Sequence, residues 1–108
     1  MCYRTICVEG AAVCGEHNLP EVSMHTHPLA EYMVPIRAGD WAAVAALMID
    51  SAGRLGAIGA ELLLCPDNTI HEAMPLVEPE SNLPWLHIAE EVVRAAGEAG
   101  RRTLAVLG

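Results

Sequence analysis

Phenylalanine is absent from the 108 residues, and aromatic side chains make up only 4% of them. A core made from this chain has to be layered from aliphatic groups, because Ala, Leu and Val carry most of an apolar content of 53%. Basic side chains are also scarce, six against fourteen acidic ones, for a net charge of −8. There is no basic stripe with interleaved aromatics, which argues against nucleic acid as a partner. The same charge argues against an anionic membrane surface. No apolar run approaches the ~20 residues of a membrane-spanning helix. No basic segment leading into an apolar stretch marks a secretory leader. No Cys-x-x-Cys pair occurs among Cys2, Cys7, Cys14 and Cys65. Free thiols in a cytoplasmic protein are therefore expected, rather than disulfides or a zinc site.

The length suits one domain, 1–108. Residues 1–14 place Tyr3, Ile6, Cys7, Ala11 and Cys14 at helical spacing. "EVSMHTH" alternates and predicts a short strand ended by Pro28. Residues 29–59 predict helix, broken at Gly39-Asp40, with Asp40 capping the helical stretch after the break. In that stretch, Trp41, Val44, Ala45, Met48, Ala52 and Leu55 form an apolar stripe, and Gly59 is a helix stop. "ELLLCP" predicts a strand buried on both faces. A short helix is expected from about Thr69 to Val77, broken by Pro79. "PWLHI" predicts another strand, and "AEEVVRAAGEAG" a helix with Ile88, Val92 and Ala96 on one side. "RRTLAVLG" predicts a last buried strand. Strands separated by helical crossovers imply an α/β three-layer sandwich with a mainly parallel, flavodoxin-like sheet. The opening helix has no strand before it and the chain stops on an apolar strand, an arrangement not expected of a complete domain.

"CPDNTIHEA", Cys65–Ala73, sits where the buried strand ends and carries two readings. Thr69 and Glu72 fit a capping box, with Asp67 and Asn68 as turn formers. Alternatively, a strand-to-helix turn at the carboxyl edge of a parallel sheet offers free amides to an anion. A substrate carboxylate would rest there, beside Asn68 and Thr69, with Asp67 as proton acceptor.

"GAELLLCPDNTIHEAMPLV" and "LPWLHIAEEVVRAAGEAGRRTLAVLG" together resemble the aspartate/glutamate racemase family. Pro66, Asn68, Thr69 and His71 match the family's Pro-Cys-Asn-Thr-x-His motif, and Leu86–Ala89 and Leu104–Gly108 match later segments. The likeness is strong over residues 50–108 and loose over 1–49. It implies cofactor-independent racemisation of an amino acid such as aspartate or glutamate. Asp67 stands where the family often carries a catalytic cysteine; Cys65, two positions earlier, is expected to pack inward. The family has two facing lobes, and the chain corresponds to the middle of the first. Two copies paired by a two-fold axis would restore a shared cleft. An inactive module that binds an amino acid or dicarboxylate is the alternative.

The resemblance implies no metal. His25 and His27 share a face if "MHTH" is a strand, and with His71 they could form a metal site for a hydrolase. With no carboxylate motif beside them, they are expected instead to line the pocket and read the substrate side chain. His71 is expected with Asn68 and Thr69 among the substrate-binding residues, either as a group behind Asp67 or merely as a first-turn helix residue, with His87 near the same cleft. Trp41, Trp85 and the methionines are expected in the core, and Glu90-Glu91 as a helix N-terminal charge preference.

Overall fold

The structure, a computed structural model, describes residues 1–106. Its centre is a long helix, and the reason is the apolar stripe. Helix α1 is Cys2–Cys14, α2 is Leu29–Ala38 and α3 is Trp41–Ala57. In α3, Val44, Ala45, Met48 and Ala52 are buried, one face of a 3.6-residue period. Gly39 ends α2 in the left-handed region, φ 68°. Asp40 starts α3, its Oδ1 accepting from the Ala43 N–H at 3.1 Å. The break between the helices falls at the expected residues.

Strand β1 is Leu63–Leu64 and β2 is Trp85–Leu86; they run parallel, with Leu63 opposite Trp85 and Leu64 opposite Leu86. Between them lie a 3-10 turn, Thr69–Ala73, the short helix α4, Met74–Val77, and a second 3-10 turn, Glu78–Glu80. Helix α5, Ile88–Glu98, comes after β2. Ile70, Ala73, Met74 and Val77 close on Val44, Ala45 and Met48, while Tyr32, Ile36, Trp41, Ile49, Cys65 and Trp85 pack around them. Both tryptophans therefore belong to the core, as expected. Trp85 satisfies its half-buried indole N–H on Ser81 Oγ at 3.0 Å.

The described residues thus form a mixed helix–strand fold with a small parallel sheet, and the wider sheet of a three-layer sandwich is not among them. Residues 21–27 are irregular, not a strand, and so are 101–106. An extended segment becomes a strand only when another strand takes its N–H and C=O groups, and neither segment has such a neighbour among the described residues. Leu104 and Val106 are exposed rather than buried, and the last two residues of the expected strand lie outside the described residues. β1 also differs from expectation: Leu63 is buried but Leu62 and Leu64 are exposed, an alternating pattern. Helices α1 and α5 bury no residue fully, and Val92 is exposed. The radius of gyration, 15.5 Å, exceeds the roughly 13 Å of a compact chain of this length, because these outer elements stand off the α3–α4 core.

Candidate functional site

Parallel pairing in register puts the ends of β1 and β2 at one edge, where Cys65 and His87 begin neighbouring turns. Asp67 lies on the first turn and is exposed. Its Oδ1 accepts from the Thr69 N–H at 2.8 Å and the Ile70 N–H at 3.4 Å. The capping group is therefore Asp67, not Thr69 as in the capping-box reading. A carboxylate here reaches two orphan amides at once, whereas Thr69 makes no such bond among the described residues. Asp67 Oδ2 accepts no hydrogen bond among the described residues. Asn68 and Thr69 are exposed next to it.

His71 is buried and ties the two turns together. Its Nδ1–H donates to the Asp67 carbonyl oxygen at 2.7 Å, and its Nε2 accepts from the Ile88 N–H at 3.4 Å. One donor and one acceptor assign the neutral Nδ1–H tautomer. His87 caps α5, its Nδ1 accepting from the Ala89 N–H at 3.2 Å. The His71 and His87 rings stand edge to face, centroids 4.8 Å apart. Cys65 lies beside this network, its Sγ 3.9 Å from the Asp67 carbonyl oxygen. Burial pushes the Cys65 thiol up, against a smaller opposing influence of the Asp67 backbone, and the nearby Asp67 charge adds to the rise. So Asp67, Asn68, Thr69, His71 and His87 are brought to one edge.

His25 and His27 are not joined to that group by any contact among the described residues. They pack against α3 instead, ring centroids 4.9 Å apart. His25 Nδ1 is 2.9 Å from Ser51 Oγ, and His27 Nε2 is 3.0 Å from Asp50 Oδ2. Glu31 lies 3.6 Å from His27 Nδ1, and Arg54 Nε 2.8 Å from Asp50 Oδ2. The Arg54 hydrogen bond holds the Asp50 carboxyl below the usual carboxylate range, with burial opposing and the nearby charges of Arg54, His27 and His25 helping. The Tyr32 phenol is raised, mainly by burial, with the nearby Ser51 opposing. The trio of His25, His27 and His71, weighed above as a metal site and set aside, is not assembled by the fold, and His25 and His27 stand against α3 rather than beside Asp67. The fold withdraws His71 and supplies Asp50, the carboxylate that the local sequence around the histidines lacks. The readable signal was Ser51, a polar residue inside the apolar stripe of α3.

A surface hollow lined by Glu78, Ser81, Asn82, Leu83, Pro84 and Trp85 opens at the start of β2, the sheet edge opposite Asp67. None of the candidate residues lines it.

No protein-family model matches the chain. Among solved structures, the crystal structure of "a putative Asp/Glu Racemase from Yersinia pestis" is similar, with a TM-score of 0.84 and 28% identity, over 91% of this chain and 43% of that one. The chain thus spans less than half the length of that protein. The likeness supports the Asp/Glu racemase fold family, reached here from a small parallel sheet with its histidines and Asp67 at the carboxyl edge. No helix of the described residues is long and apolar enough to cross a membrane.

Proposed function

We propose that the chain supplies one side of the substrate site of a cofactor-independent amino-acid racemase of the aspartate/glutamate type, as part of a flavodoxin-like lobe. The superposition on the Yersinia pestis protein carries this reading. Asp67, at the carboxyl end of β1, is its proton-transferring group. Oδ1 is anchored on the Thr69 and Ile70 amides, which leaves Oδ2 to face an α-carbon. The carboxylate takes the α-proton, and the electron pair left on carbon spreads into the substrate carboxyl group. An acid on the opposite face returns a proton and inverts the centre. Asn68 and Thr69 hold the substrate carboxylate, and His71 keeps the Asp67 backbone in place. The opposing acid belongs to a second copy of the chain, paired about a two-fold axis so that two Asp67 residues share a cleft.

The test is α-proton exchange of D- and L-aspartate and glutamate in deuterated water, monitored by NMR on the full chain. Asp67→Asn keeps an oxygen to accept from Thr69 and Ile70 but removes the base. Exchange should fall by roughly 10²-fold or more, the usual contribution of a positioned general base. Equal exchange by both proteins overturns the role of Asp67. A non-catalytic carboxylate-binding module is the second reading. It is favoured by Asp67 Oδ1 occupying the two amides that a substrate carboxylate would otherwise use. An amino acid that shifts the Asn68 and Thr69 amide resonances without any exchange selects it.

A further inference from the structure

We propose that His25, His27 and Asp50 form a binding site for a borderline divalent transition metal of the zinc type. One ring nitrogen of each histidine and one carboxylate oxygen of Asp50 lie within 4.8 Å of one another. Two imidazoles and a carboxylate are a donor set that zinc takes, with a fourth position left for water.

The relation between His27 and Asp50 points the same way. His27 Nε2 is enclosed and lies 3.0 Å from Asp50 Oδ2, yet it makes no hydrogen bond. At that distance the failure is angular: the ring nitrogen is not aimed at the oxygen, as a hydrogen bond requires. Two ligands of one cation stand about 3.3 Å apart when each is about 2.0 Å from the metal in tetrahedral geometry. In that arrangement each points at a common centre and neither points at the other.

The outer contacts suit metal-bound imidazoles. A ligating histidine donates its other ring N–H to a carboxylate or oxygen, which fixes ring and tautomer. Ser51 Oγ stands 2.9 Å from His25 Nδ1, within hydrogen-bond range, and Glu31 stands 3.6 Å from His27 Nδ1, where a small side-chain movement would let it accept. Both Nε2 atoms are thereby left to bind. Residues 21–28 carry no regular structure, so His25 closes the remaining distance by a small shift of an irregular segment. Arg54 is the resident competitor, a cation 2.8 Å from the same Asp50 oxygen. A bound metal displaces it.

The experiment titrates Zn²⁺ against the full chain by calorimetry, with excess Mg²⁺ present to suppress non-specific binding to the acidic surface. One saturable site per chain is expected, and Co²⁺ in its place should give visible d–d absorption. His27→Ala and Asp50→Asn should each weaken binding at least about tenfold, since even outer partners of such sites are worth 10–100-fold. Asp50 is exposed, so its substitution leaves folding intact, checked by circular dichroism. Arg54→Ala should tighten binding. A variant with all four cysteines changed to serine should bind as the parent does. No saturable site, or equal affinity in the parent and Asp50→Asn, overturns the proposal, as does loss of binding with the cysteines.

Discussion

The rings of His71 and His87 meet edge to face, with centroids 4.8 Å apart, at the carboxyl ends of two paired strands. Each belongs to a different strand-to-helix turn, and His71 also bonds to the backbone of both turns. His71→Ala removes a buried donor and acceptor and leaves the Ile88 N–H and the Asp67 carbonyl without this partner. The expected loss is about 1–3 kcal/mol, read from the midpoint of a urea unfolding curve.

Asp67 serves the fold before it serves any chemistry. Asp67→Ala strips the acceptor from the Thr69 and Ile70 N–H groups and should cost about 0.5–2 kcal/mol, the usual worth of a capping side chain. Asp67→Asn retains the acceptor and should stay within a few tenths of a kcal/mol of the parent. Thermal unfolding of the two variants separates the cap from the charge.

Met74 is 1% exposed and packs in the cluster that joins α4 to α3. Shortening it leaves a cavity in the cluster of Val44, Ala45, Met48 and Val77, which close packing lets relax only in part. Met74→Ala should cost about 2–5 kcal/mol. The same change at Leu76, which is exposed, should cost much less, and denaturant titration of the pair checks the contrast.

The Cys65 thiol is raised above 9.0 chiefly by burial. The unfolded chain therefore ionises first as pH rises, and takes the equilibrium with it. Stability from this residue is complete below pH 9.0 and is lost as pH climbs from there through the folded-state value. Cys65→Ser should flatten that alkaline decline in unfolding curves. At pH 8, iodoacetamide should modify exposed Cys14 faster than Cys65, resolved by peptide mass mapping.

The helices were legible because their signals are local. The Gly39-Asp40 break needs only a residue that accepts positive φ and then one that caps, and the α3 stripe needs only a 3.6-residue period. The strand expectations were of another kind. "EVSMHTH" and "RRTLAV" have strand-like patterns, but a strand exists only with a partner, which no local window contains. The site divides in the same manner. Asp67, Asn68, Thr69 and His71 are near neighbours in sequence and lie together in the fold. His25 and His27 contact Ser51 and Asp50 instead of His71, a pairing no local window shows, since spacing along a chain says nothing about what lies across a packed interface.

By itself, the sequence determined where the helices start and stop, which face of α3 is buried, and that polar residues gather after β1, all consequences of backbone preference and hydrophobic period. Only the tertiary structure decided that Asp50 and Ser51 receive His25 and His27, and that His71 reaches Ile88. Those contacts span 17 to 26 residues, and they form because burying the α3 stripe against α2 and α4 brings the remaining side chains within reach of one another.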